Sequence, residues 1–86
     1  MDDHEYYWFR YAFKGDEYTQ LTRANKFITR VRESGFEFKF IKIRMGGYWC
    51  VEVRTPIDME RETTKSIIRL YSGDSDFIDG GLATSN

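Results

Sequence analysis

The stretch Phe36-Glu37-Phe38-Lys39-Phe40-Ile41-Lys42-Ile43-Arg44-Met45-Gly46-Gly47-Tyr48-Trp49-Cys50-Val51-Glu52-Val53-Arg54 decides the architecture. Two runs of aromatic, β-branched and charged residues in alternation flank a Gly-Gly pair. That pattern predicts two antiparallel strands joined by a tight two-residue turn. In the second run Trp49, Val51 and Val53 form the apolar set, against Tyr48, Cys50, Glu52 and Arg54. In the first run Phe36, Phe38 and Phe40 begin on one face, but Ile41 and Ile43 then carry the apolar phase while Lys42 and Arg44 are charged. A bulge near Phe40 or Ile41 is the expected remedy.

Outward from the hairpin, Tyr6-Tyr7-Trp8-Phe9-Arg10-Tyr11-Ala12-Phe13 is dense enough in aromatics to predict a strand. It splits into Tyr7, Phe9, Tyr11 and Phe13 on one side and Tyr6, Trp8 and Arg10 on the other. Lys14-Gly15-Asp16-Glu17 breaks the run, and Asp16 or Thr19 can cap a following helix. Its inward residues are Leu21, Ala24, Phe27 or Ile28, and Val31, with Gly35 as its stop. After the hairpin, Thr55-Pro56-Ile57-Asp58 reads as a helix entry, with Thr55 as cap and Pro56 at the first helical position. This second helix is expected to run to about Ser72, turning Met59, Thr63, Ile67 and Leu70 or Tyr71 inward. Residues 76–79 predict a short last strand or docked turn, followed by a loose tail from Gly80.

The order β-α-β-β-α, with a last β, implies an α+β fold. The economical solution is an antiparallel sheet with two helices on one face, a ferredoxin-like two-layer sandwich. One domain covers residues 1–86, with its core at about 6–73 and a flexible or partly docked tail at 74–86. The length of 86 residues allows no second domain. With 41% hydrophobic and 17% aromatic residues and a net charge of -1, the chain is not of the disordered class.

Near the start, Asp2, Asp3 and Glu5 stand where a secretory leader would carry basic residues, and no apolar run is long enough to span a membrane. A single cysteine, Cys50, offers no internal disulfide. The expectation is a cytoplasmic protein with no membrane association.

The open sheet face should carry Tyr6, Trp8, Arg10, Tyr48 and Arg54, with Lys39, Lys42 and Arg44 at or near its edge. Rings interleaved with cations make a platform for planar or anionic ligands. Charge is unevenly placed: residues 1–17 carry -3, residues 18–44 carry +5 and residues 45–86 carry -3. Arg23, Lys26 and Arg30 form a basic stripe along the first helix, suited to phosphates or an acidic protein surface.

Catalytic chemistry finds little support. His4 is the only histidine, Cys50 has no evident base, and Glu52 beside Arg54 reads as a surface ion pair. No cofactor and no metal site is expected, and the chain reads as a non-enzyme.

The layout resembles the RNA recognition motif. Gly47-Tyr48-Trp49-Cys50-Val51-Glu52-Val53 matches its third-strand signature at Gly47, Tyr48 and Val51, with Trp8 standing in for the first-strand aromatic. Trp49 and Cys50 depart from it. That resemblance implies single-stranded RNA as a ligand of the open face. The layout is also similar to the SPOR peptidoglycan-binding domain, with a helix ending near Gly35, but its first-strand glutamine and its Arg-Val-x-x-Gly-Pro run are missing. In size and composition the chain is similar to phage accessory proteins that bind and inhibit a host defence enzyme or toxin.

The expected function is therefore a non-catalytic binding module for a protein or ribonucleoprotein partner. Single-stranded RNA binding is the alternative, and a homodimer closed through the open sheet faces is a further one.

Overall fold

The computed structural model describes residues 5–73 and 75–84. Its elements are β1 (Tyr6–Ala12), α1 (Glu17–Glu33), β2 (Lys39–Met45), β3 (Tyr48–Thr55), α2 (Arg61–Tyr71) and β4 (Asp76–Ala83). The strands form one antiparallel sheet in the order β2-β3-β1-β4. Each helix links two strands that flank a third, which is the ferredoxin-like sandwich that the element order implies.

The β2–β3 turn closes at the pair Met45 and Tyr48. Gly46 and Gly47 have φ of 57° and 83°, the left-handed values that a two-residue hairpin matched to strand twist requires. At the start of α1, the Asp16 carboxylate accepts the Thr19 N–H at 2.7 Å. Gln20, buried one turn in, donates to the Gly15 carbonyl at 2.7 Å and accepts the Trp49 N–H at 2.9 Å. This single amide fastens the helix start to β3. A polar side chain is therefore buried at the first inward position, and Leu21 is only half-buried.

Between the layers, Phe9, Tyr11, Phe13, Val51 and Val53 of the sheet side meet Ala24, Phe27, Ile28, Val31 and Ile68 of the helices. Phe27 is at the centre, with ring centroids 5.7 Å from Tyr11, 5.8 Å from Phe13 and 6.4 Å from Phe40. Truncating it to alanine would remove about 3–5 kcal/mol, a large share of what a domain of this size has available.

Three expectations are corrected. The β2–β3 ladder runs from Lys39–Arg54 to Met45–Tyr48 without a register shift, so β2 has no bulge. Its irregular phase is satisfied from α1 instead: Lys42 Nζ donates to Asn25 Oδ1 at 3.1 Å, and Arg44 Nη1 to Glu17 Oε1 at 2.8 Å. The register shift lies between β1 and β4, at Arg10/Tyr11, and leaves Ile78 without a partner.

Helix α2 starts at Arg61 rather than at Pro56, because the ladder with β1 extends to Tyr7–Thr55 and keeps Thr55 in the strand. Its buried residues are accordingly Thr64 and Ile68, with Met59 and Tyr71 packed against the core, while Leu70 is 79% exposed. Thr64 is tolerated inside because its hydroxyl donates to the Glu60 carbonyl at 2.9 Å. Finally, β4 does not stop at 79. It pairs with β1 as far as Tyr6–Ala83.

Candidate binding surface on the outer face of the sheet

The face turned away from the helices is assembled by register. Trp8 lies opposite Arg54 and Arg10 opposite Glu52, while Ile41 and Ile43 of β2 lie opposite Glu52 and Cys50. On the far side Trp8 lies opposite Gly81 and Arg10 opposite Asp79. Four of the five residues expected to form the platform, Tyr6, Trp8, Arg10 and Arg54, do come together here.

Their organiser is Glu52. Its side chain is only 7% exposed and lies between two arginines, with Arg10 Nε 2.9 Å from Oε1 and Arg54 Nε 2.7 Å from Oε2. Each guanidinium also covers a ring, Arg10 at 4.4 Å from the Trp8 centroid and Arg54 at 4.6 Å from that of Tyr6. The result is a continuous chain Trp8, Arg10, Glu52, Arg54, Tyr6. The expected ion pair of Glu52 with Arg54 is present; it departs from an ordinary surface pair in that the carboxylate is buried and shared with a second cation, Arg10.

Only Nε of each arginine is committed to Glu52. Among the described residues the terminal nitrogens of Arg10 and Arg54 make no hydrogen bond. Two guanidinium groups sharing one carboxylate carry one net positive charge between the three, and their uncommitted terminal nitrogens leave donors for an acceptor on a ligand.

Beside this network runs a row that the bulge expectation had hidden. Ile41, Ile43 and Met45 are half-buried on the outer face. The signal for them was present: a two-residue turn at Gly46-Gly47 puts Met45 opposite Tyr48, and counting back by twos puts Ile43 and Ile41 on the same side.

Cys50, between Tyr48 and Glu52 on this face, is completely covered. Burial pushes its thiol pKa up, while the Met45 backbone and Arg10 act in the opposite direction. A buried thiol with a raised pKa is a poor nucleophile.

The other candidates lie elsewhere. Tyr48 shares the outer face but sits at the end remote from Arg54, half exposed beside Ala12, Lys14 and Asp76. Lys42 and Arg44, expected at the platform edge, are on the helix side of β2 with their head groups engaged by α1. Arg23, Lys26 and Arg30 belong to α1 in the other layer. His4 lies outside the described residues.

Among the described residues no three His, Cys, Asp or Glu side chains gather in a way that could hold a metal. Nor is any of their helices long and apolar enough to cross a membrane. No protein family, curated protein or solved structure matches the chain.

Proposed function

We propose that the chain is a non-catalytic binding module whose outer sheet face docks a protein. The observation that carries this reading is the adjacency of the Trp8-Arg10-Glu52-Arg54-Tyr6 network to the half-buried row Ile41, Ile43 and Met45. Tryptophan, tyrosine and arginine beside a half-buried apolar strip that a partner can desolvate are the composition from which binding hot spots are made. The matching partner surface brings apolar side chains to the β2 row and at least one carboxylate to the arginine forks. A module that only covers a partner's surface needs no reacting group, and steric inhibition of a host defence enzyme or toxin is the activity such a module can perform.

Single-stranded RNA is served less well. Stacking needs bare rings at the centre of the sheet. Here the centre holds covered Cys50 and carboxylate Glu52, and both rings carry a guanidinium.

Affinity capture with the intact chain, with and without nuclease, tests the reading alongside Trp8→Ala and Ile43→Asp. A nuclease-resistant protein lost with both substitutions supports it, with Trp8→Ala weakening binding by about 2 kcal/mol or more and a shallow salt dependence. A partner lost to nuclease, with steep salt dependence, overturns it in favour of RNA. Self-association that Trp8→Arg converts to monomer, with no other partner, overturns it in favour of a homodimer.

A further inference from the structure

In the helical layer the exposed basic stripe of α1 borders a concavity. Arg23, Lys26 and Arg30 line a groove of about 220 Å³ between the helices, together with Phe27, Tyr71 and the Ser72-Gly73 segment where α2 ends. None of the described residues lining it is acidic.

Several cations elsewhere have polar partners. Arg10 and Arg54 share Glu52, Lys14 meets Asp76, Arg44 meets Glu17, and Lys42 meets Asn25. Arg61, Lys65 and Arg69 on α2, by contrast, have no hydrogen bond or ion pair among the described residues, so what sets the groove apart is three cations lining one concavity. In the groove, Arg23 commits one nitrogen to the Lys14 carbonyl at 3.0 Å. The head groups of Lys26 and Arg30 have no hydrogen bond or ion pair among the described residues. The carbonyl end of α2 offsets about half a charge against three positive ones. The non-polar, low-dielectric walls supplied by Phe13, Phe27 and Tyr71 focus the field of the remainder inside the concavity.

We infer that this groove binds a small phosphate-bearing anion, a phosphomonoester or diphosphate. A single carboxylate would leave two of the three cations unmatched, whereas a phosphate dianion or a diphosphate approaches the charge of the groove. Arg23 and Arg30 offer the planar forks that phosphate oxygens accept. At about 30 Å³ per water the groove holds roughly seven waters, room for a phosphate group and a small substituent. The site is in the opposite layer from the protein-docking face, and its existence does not depend on that face.

An NMR titration of the intact, uniformly labelled chain with inorganic pyrophosphate, at ionic strength held constant with sodium chloride, tests this. Saturable shifts centred on residues 23–30 and 71–73 are expected, with affinity about tenfold weaker in Lys26→Gln/Arg30→Gln. Arg61→Gln, an exposed cation at the other end of α2, leaves the affinity unchanged. All three positions are exposed, so these variants are expected to fold. The proposal is overturned by shifts that fail to saturate, by equal weakening in Arg61→Gln, or by no weakening in the double variant. Binding of an oligouridylate without binding of pyrophosphate also overturns it, because the groove would then serve a polymer backbone.

Discussion

Trp8 and Gly81 face one another across β1 and β4, and the indole fills the space where a side chain at 81 would stand. A Cβ there would lie 2.7 Å from Cζ2, 2.9 Å from Cε2 and 3.0 Å from Nε1 of the ring. Replacing a strand glycine by alanine ordinarily gains a little stability through the unfolded chain. Here the sign reverses: Gly81→Ala is expected to cost about 1–3 kcal/mol through overpacking. Urea unfolding measures the cost, and tryptophan emission in a Trp49→Phe background reports the displaced ring. Partner binding should weaken in step with Trp8→Ala.

Among the described residues Glu52 is the one carboxylate with two arginines, so its loss strands both. Glu52→Ala is expected to cost about 2–3 kcal/mol, below the range for fully buried pairs because the arginines remain 29% and 31% exposed. A double-mutant cycle between Arg10 and Glu52 should return a coupling of about 1 kcal/mol. The same cycle on Lys14 and Asp76, whose side chains are 64% and 59% exposed, should return close to zero.

Thr55 ends β3 with a hydroxyl that is buried and has no hydrogen-bond partner among the described residues. Valine has the same shape without the unsatisfied group. Thr55→Val should therefore raise stability by about 1 kcal/mol, read as a higher urea midpoint with an unchanged slope.

Tyr11 is packed between the layers, and burial pushes its phenol from 10.0 up to about 12, with Arg69 pulling weakly the other way. Between those values the unfolded chain has released the proton and the folded chain has kept it. Stability due to Tyr11 is thus fully present below pH 10.0 and lost as pH rises to about 12. Alkaline urea titrations should show that loss, and Tyr11→Phe should flatten it.

Legibility in the sequence followed the range of the interactions. The hairpin, the Asp16 cap and the stop at Gly35 depend on residues within a few positions, and all stand in the structure where the residues place them. Thr55-Pro56 carried a sound local signal for a helix start, but Tyr7, far away in sequence, holds Thr55 in a ladder. The phase of β2 failed for a similar reason, because Asn25 and Glu17 supply partners that make inward Lys42 and Arg44 acceptable.

The same distinction holds at the site. Alternation alone brought Tyr6, Trp8, Arg10 and Arg54 to one face. That Glu52 would become their common partner depends on β1 and β3 pairing in one particular register. The groove beneath Arg23, Lys26 and Arg30 needs the end of α2, which periodicity along α1 does not report.

The outer edge of β1 is closed only by β4, down to the pairing of Tyr6 with Ala83. During synthesis β1 emerges first, and the β2–β3 hairpin can form and pair with it while β4 is still within the ribosome. Throughout that interval β1 is an uncovered sheet edge and Trp8 has no seat, because Gly81 has not yet appeared. The aromatic strand on which the docking face depends is thus open to pairing with another chain until β4 arrives, and the strand carrying Gly80 and Gly81 then takes over the sheet edge in its place.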